Sequence, residues 1–140
     1  MANNPFFSDA ATIASVNAET ALLNTGFLQI FTGTQPGDAN QALTGTLLAS
    51  LTFGATAFGA GSASGSTGSR VVTATANAIG SATAGNSGTA GYFALLKADG
   101  TTVNAMGSVG TSGADLNLNS LSISSGATVS CSSFTITMLE

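Results

Sequence analysis

The sequence predicts a mainly β chain: an antiparallel β-sandwich or jelly roll of about eight short strands behind one N-terminal helix. Three observations lead there. Apolar residues alternate with polar ones over much of the chain, which is the period of a half-buried strand. Glycine-rich connections separate the alternating runs. Helical spacing occurs in one place, near the start, so the recurring helices of a βαβ arrangement are missing. The expected division is an arm over residues 1–8 and one domain over 9–140.

The arm reads MANNPFFS. Asn3, Asn4 and Pro5 disfavour regular structure, while Phe6 and Phe7 are adjacent and bulky. The two rings either fold back onto their own core or reach a neighbouring subunit. Ser8 or Asp9 can cap a helix by accepting from free backbone N–H groups. Ile13, Val16, Thr20 and Leu23 then recur at spacings of three and four, one helical stripe. Asn24-Thr25-Gly26 supplies the stop. The helix is expected over about 9–23, lying on a sheet or at a subunit contact. Phe6, Phe7, Ile13 and Val16 are the candidates for contact between chains.

After Gly26 the period changes to two. Strands are expected over 27–32 and 46–53, the second with Leu47, Ala49, Leu51 and Phe53 on one face. Between them lies a turn-rich loop, 34–40, holding Gln35-Pro36-Gly37-Asp38. A short extension is possible at 56–58. The glycines of 59–69 loosely resemble a dinucleotide-binding loop, but a helix must follow such a loop. Here 70–79 alternates like a strand, with Val72, Ala74, Ala76 and Ala78 on one face, so 59–69 reads as a flexible loop. Residues 81–89 read as strand end plus loop.

The firmest local feature is a hairpin over 91–109, GYFALLKADGTTVNAMGSV. Asp99-Gly100 suits a type I′ turn. Such a turn pairs Ala98 with Thr101, Leu96 with Val103 and Ala94 with Ala105. Both faces are apolar near the base, as in a hairpin covered on each side. A loop at 110–114 follows. Leu116 and Leu118, then Leu121 and Ile123, alternate with a phase change at Asn119-Ser120. Residues 124–127 turn the chain. Val129 and Cys131 lie in one phase, and Phe134, Ile136 and Met138 in the other. Such shifts suggest bulges, or strands passing between sheets.

Composition narrows the function more than any motif does. Charged residues are 6% of the chain, against roughly 25% in an average soluble protein. The surface is therefore covered either by Ser, Thr, Asn and Gly or by other protein copies. Net charge is −4, and Arg70 and Lys97 are the two cations. Duplex binding neutralises about 6–10 phosphates, so nucleic acid is not an expected partner. Nor is a membrane: there is no polybasic patch and no run of roughly 18 apolar residues. The start lacks the basic and apolar regions of a signal peptide. Cys131 has no second cysteine to pair with and reads as a small buried hydrophobe.

With no histidine in the chain, Ser-His-Asp and Cys-His constellations are impossible. Asp9 reads as a cap, Asp99 as a turn residue and Glu140 as the terminus. No local motif sets two carboxylates across a cleft, and no loop clusters oxygen ligands for calcium. Zinc lacks its usual His and multiple Cys ligands. A flat threonine array could bind ice or sugar, but no regular Thr-x-Thr ladder repeats. No catalytic residue, cofactor or metal is expected.

Three stretches carry a resemblance: 26–58 (GFLQIFTGTQPGDANQALTGTLLASLTFGATAF), 91–103 (GYFALLKADGTTV) and 110–138 (GTSGADLNLNSLSISSGATVSCSSFTITM). In their pattern of turns and strands they resemble a family of small virion proteins of tailed bacteriophages. The likeness covers most of 22–138, though this chain is poorer in charge than that group. It implies a jelly-roll cement or decoration protein, non-enzymatic, bound as a dimer or trimer to the phage major capsid protein on the virion surface. The expectation from a different class is a glycan-binding module on a tail or fibre, which a groove lined with exposed aromatics would favour.

Overall fold

The structure, a computed structural model, describes residues 5–139. The first half of the expected arm, 1–4, and Glu140 lie outside the described residues. One helix, α1 (Asp9–Ala21), precedes twelve strands among the described residues. They are β1 (Phe27–Thr32), β2 (Leu47–Phe53), β3 (Ser62–Ser64), β4 (Val71–Thr75), β5 (Ile79–Gly80), β6 (Ala82–Thr83), β7 (Gly88–Leu96), β8 (Val103–Gly110), β9 (Leu116–Asn117), β10 (Ser122–Ile123), β11 (Thr128–Val129) and β12 (Thr135–Leu139). The protein is thus mainly β with one leading helix. The excess over eight strands comes from segmentation, since 70–80 holds β4 and β5 and 116–139 holds β9 to β12, and from β3, which lies inside the 59–69 stretch expected as a flexible loop.

The helix starts where the sequence placed it. Ser8 is extended (φ −74°, ψ 158°), and its hydroxyl accepts from the Ala11 N–H. Thr12, Val16 and Thr20 form the buried stripe, with Ile13 half-buried beside it. Leu23 continues the stripe past the helix end and is fully buried. This face lies on β4, β12 and β3. Two carboxamides fasten it: Asn17 Oδ1 accepts from the Gly61 N–H and Asn24 Oδ1 from the Ala57 N–H, each at 2.8 Å.

The large sheet runs β5-β2-β1-β7-β8-β9, with β10 pairing to β7 at its other end. Every pairing in it is antiparallel except β8 with β9, which is parallel. A second sheet runs β12-β4-β3, and β11 pairs with β6. One apolar cluster joins Val16 of α1, Leu28, Ile30, Leu51, Phe93 and Leu95 of the large sheet, and Val72 and Ala74 of β4. Within it the rings of Phe53, Phe58, Phe134 and Phe93 follow one another at centroid separations of 5.5, 6.2 and 5.3 Å. The last two contacts are edge-on, the arrangement that ring quadrupoles favour.

The opposite face of the large sheet is also apolar. Phe31, Tyr92, Ala94 and Leu96 form a separate buried cluster that includes the partly buried Leu43. Residues 33–46 pass over this face as a strap. The Tyr92 hydroxyl donates to the Thr44 carbonyl at 2.6 Å and accepts from the Thr44 N–H at 2.9 Å. Tyr92 through Leu96 are consequently all buried, which matches a hairpin strand covered on each side.

In three places the strands and turns differ from the expected pattern, two in register and one in turn type. First, Ile30 pairs with Ala49 but Phe31 pairs with Leu47. Leu48 is the extra residue of a bulge and turns fully inward, while Leu47 is 36% exposed. The inward set is therefore Leu48, Ala49, Leu51 and Phe53. Second, Leu96 pairs with Val103 as expected, but Leu95, not Ala94, faces Ala105. Asn104 is the extra residue there. Third, the tip is not a type I′ turn. That turn needs positive φ at Asp99, and among the described residues Thr25 alone, glycine aside, has it. Instead the Gly100 N–H donates to the Lys97 carbonyl, and Gly100 sits at φ +71°.

A further bulge falls at Gly91, because Phe31 pairs with Tyr92 but Thr32 with Ala90. A Cβ on Gly91 would lie 1.9 Å from the Gly33 carbonyl oxygen. Bulges increase local twist, so three of them along neighbouring pairings explain why the large sheet curls over its core.

Candidate functional site

The residues singled out for contact do not behave alike. Val16 is fully buried in the core of its own chain, and Ile13 is packed against that core. Val16 is therefore withdrawn from the contact set, because the helix turns that stripe inward onto β4. Phe6 and Phe7 are 87% and 59% exposed. They do not fold back onto the core.

Several groups set where the arm meets the helix. Pro5 fixes its own φ and has no N–H to donate. Ser8, committed to capping α1, sets the direction in which the chain leaves the helix. Asp9, in the first turn, lies at the positive end of the helix dipole. Its carboxylate takes both arms of Arg70: Nε donates to Oδ1 at 2.7 Å and Nη2 contacts Oδ2 more closely. Arg70 Nη1 also donates to the Gly65 carbonyl at 3.3 Å. Arg70 thus ties the helix start to the 65–70 loop. A shallow cleft of about 230 Å³ opens there, lined by Phe6, Phe7, Thr67, Gly68 and Arg70.

Both partners of that ion pair are more than a third exposed, so it contributes about 1 kcal/mol at most. Its value is geometric, since it fixes where the rings start. The sequence could have flagged Arg70 only as one of two cations; its partner is 61 positions away. The same pair engages one of the two cations, leaving the surface still poorer in unpaired charge.

A second concavity lies on the strap side. It measures about 620 Å³ and is lined by Gln29, Asn40, Gln41, Leu43, Leu96 and residues 100–103, among others. The lining is neutral, carboxamide and hydroxyl over an apolar floor, and contains no aromatic ring. Tyr92, the chain's one tyrosine, is fully buried.

The remaining polar chemistry is structural. Asp99 accepts from the N–H groups of Thr101 and Thr102 and from the Thr102 hydroxyl. These bonds hold its carboxyl at about 2, below the ordinary 3.8. Asp115 is lowered by the N–H and hydroxyl of Ser108. Burial raises Glu19. Burial also pushes the Cys131 thiol up, and that thiol donates to the Ser133 carbonyl. Such a thiol stays protonated and is a poor nucleophile. Among the described residues no group of three or more His, Cys, Asp or Glu is placed to hold a metal ion. None of their helices is long and apolar enough to cross a membrane.

Threonines do meet, in a way the linear sequence hid. Thr73 and Thr75 of β4 face Thr137 and Thr135 of β12. The Thr73 and Thr137 hydroxyls are 3.2 Å apart.

Compared with protein-family models, curated proteins and solved structures, the chain matches none of them.

Proposed function

We propose that this protein is a structural subunit that works by covering other protein surfaces in a multi-copy particle. The observation that carries this reading is the pair Phe6 and Phe7, exposed beside the Arg70–Asp9 ion pair on a chain with 6% charged residues. Burying one such ring is worth about 1.5–3 kcal/mol. With the rings 87% and 59% exposed, each copy would thus gain about 2–4 kcal/mol by seating both. Many copies on one particle multiply that gain through effective concentration.

The finer reading takes the β12-β4-β3 sheet, the large curled sheet and their shared core as a jelly-roll sandwich. It places the subunit on the shell of a tailed-phage virion, as a cement or decoration protein clamping major capsid subunits. Its support is the resemblance of 26–58, 91–103 and 110–138 together with the paired rings. The glycan-binding alternative wants a groove lined with exposed aromatics; the strap-side groove has none, and the cleft at Phe6 and Phe7 is the place where such binding would be sought.

The test is the double variant F6S/F7S, added to purified shells in competition with the unaltered protein. The expected result is at least a tenfold loss of occupancy and a lower temperature of shell rupture. Equal occupancy would remove the arm from the clamp. Antibody labelling over the tail instead of the shell would overturn the placement.

A further inference from the structure

Among the described residues no strand pairs with the outer edge of β12, and none of the usual guards protects it. Natural sheets guard their edges with short strands, charges, prolines or bulges. The other edge of this small sheet, β3, has three residues between Gly61 and Gly65. On the large sheet β5 and β9 cover two residues each of β2 and β8, and the open part of the β8 edge is guarded by the Asn104 bulge and by Asp115, which accepts from the Ser108 N–H. By contrast, β12 is five residues long and reads Thr-Ile-Thr-Met-Leu. It carries no charge, no proline and no bulge, and Leu139 is 81% exposed.

Its hydrogen bonding shows which groups are unused. The Ala76 N–H donates to the Phe134 carbonyl. Bonded pairs alternate along an antiparallel ladder. Ile136 and Met138 therefore bond to Ala74 and Val72 on β4. The Thr75 carbonyl agrees, since it turns the other way to accept from the Gly59 N–H. The N–H and C=O groups of Thr135, Thr137 and Leu139 consequently point outward. Among the described residues, no other strand pairs with this edge.

We propose that this edge pairs with the same edge of a second copy, antiparallel about a two-fold axis at Thr137. The proposal rests on the reading of the protein as a multi-copy subunit and names the contact between copies. In that register Thr137 meets its own counterpart, and Thr135 meets Leu139 in both directions. All the outward groups are used, giving about six hydrogen bonds. The sequence favours a second copy over a foreign strand because it opposes itself without conflict. Threonine lies beside threonine, extending the Thr73–Thr137 hydroxyl contact. Thr135 covers the exposed Leu139. No like charges meet within Thr135–Leu139. The half-buried Ile136 and Met138 gain cover on the core side. The product is one continuous sheet, β3-β4-β12 followed by its two-fold mate, with an isologous interface.

The test combines sedimentation equilibrium with residue-resolved amide exchange on the full chain at rising concentration. A dimer is expected, in which the amides of Thr135, Thr137 and Leu139 slow at least tenfold on association. Those of Ile136 and Met138 are already slow in the monomer. T137K, which sets two ammonium groups across the axis, is expected to weaken association about tenfold or more. T137V is expected to keep it. F6S/F7S should leave this dimer intact, so failure at the edge is distinguishable from failure of the arm. A chain that stays monomeric throughout overturns the proposal. So does a dimer in which the three outward amides still exchange freely, or one that survives T137K but not F6S/F7S.

Discussion

Removing a single oxygen tests how the strap is held. Y92F keeps the ring, and with it the stack on Phe31, whose centroid is 5.2 Å away at an interplanar angle of 12°. No cavity forms. What goes is the pair of hydrogen bonds to the Thr44 backbone. A net hydrogen bond is worth about 0.5–1.5 kcal/mol. Thr44 is exposed, so its freed N–H and C=O regain water, and the expected loss is about 1–2 kcal/mol. Removing the whole ring, as in Y92A, should cost about 3–5 kcal/mol, the range for a buried aromatic. Urea unfolding gives the first quantity, read as a lower midpoint at constant slope. Amide exchange localises the loss: Thr44 should exchange much faster in Y92F, while Ile30 and Phe93 hold their protection. If Thr44 exchange is unchanged and stability moves by less than about 0.3 kcal/mol, the strap is held by Leu43 packing and the hydroxyl is incidental.

G91A forces a methyl group into the Gly33 backbone at the bulge; a loss of about 2–3 kcal/mol is expected from thermal or urea unfolding, and wild-type stability would mean the bulge relocates. Asp99 is lowered when folded, so its contribution is complete above the ordinary 3.8 and disappears as pH falls toward about 2. The Thr101 and Thr102 amide shifts should titrate near the lower value, and in D99N that transition should vanish.

Much of this fold was legible locally. The bounds of β1 were readable because alternation, a preceding glycine and β-branched or aromatic residues all agree over six positions. The helix cap and stripe were readable for the same reason, a period that repeats within one element. The Gly126 turn and the pairing of Leu96 with Val103 beside the hairpin tip also follow from near neighbours. For the candidate site, the sequence flagged Phe6 and Phe7 by bulk but could not say which way they point. It erred on Val16, because a helical stripe looks the same whether it meets its own sheet or another subunit.

The residues fixed by tertiary structure are those whose partner lies far along the chain. Leu48, Gly91 and Asn104 became bulges because each pairing must fit the twist of the strand beside it, and a one-residue slip reverses every later side chain. Arg70 found Asp9, and Tyr92 found Thr44, only once the sheet had brought distant segments together. The free edge of β12 is likewise invisible in the string Thr-Ile-Thr-Met-Leu. By itself the sequence determined periodicity, caps, turns and the scarcity of charge, since these are properties of neighbouring residues. Only the assembled chain decided which strand ends a sheet, since an edge is defined by the neighbour it lacks.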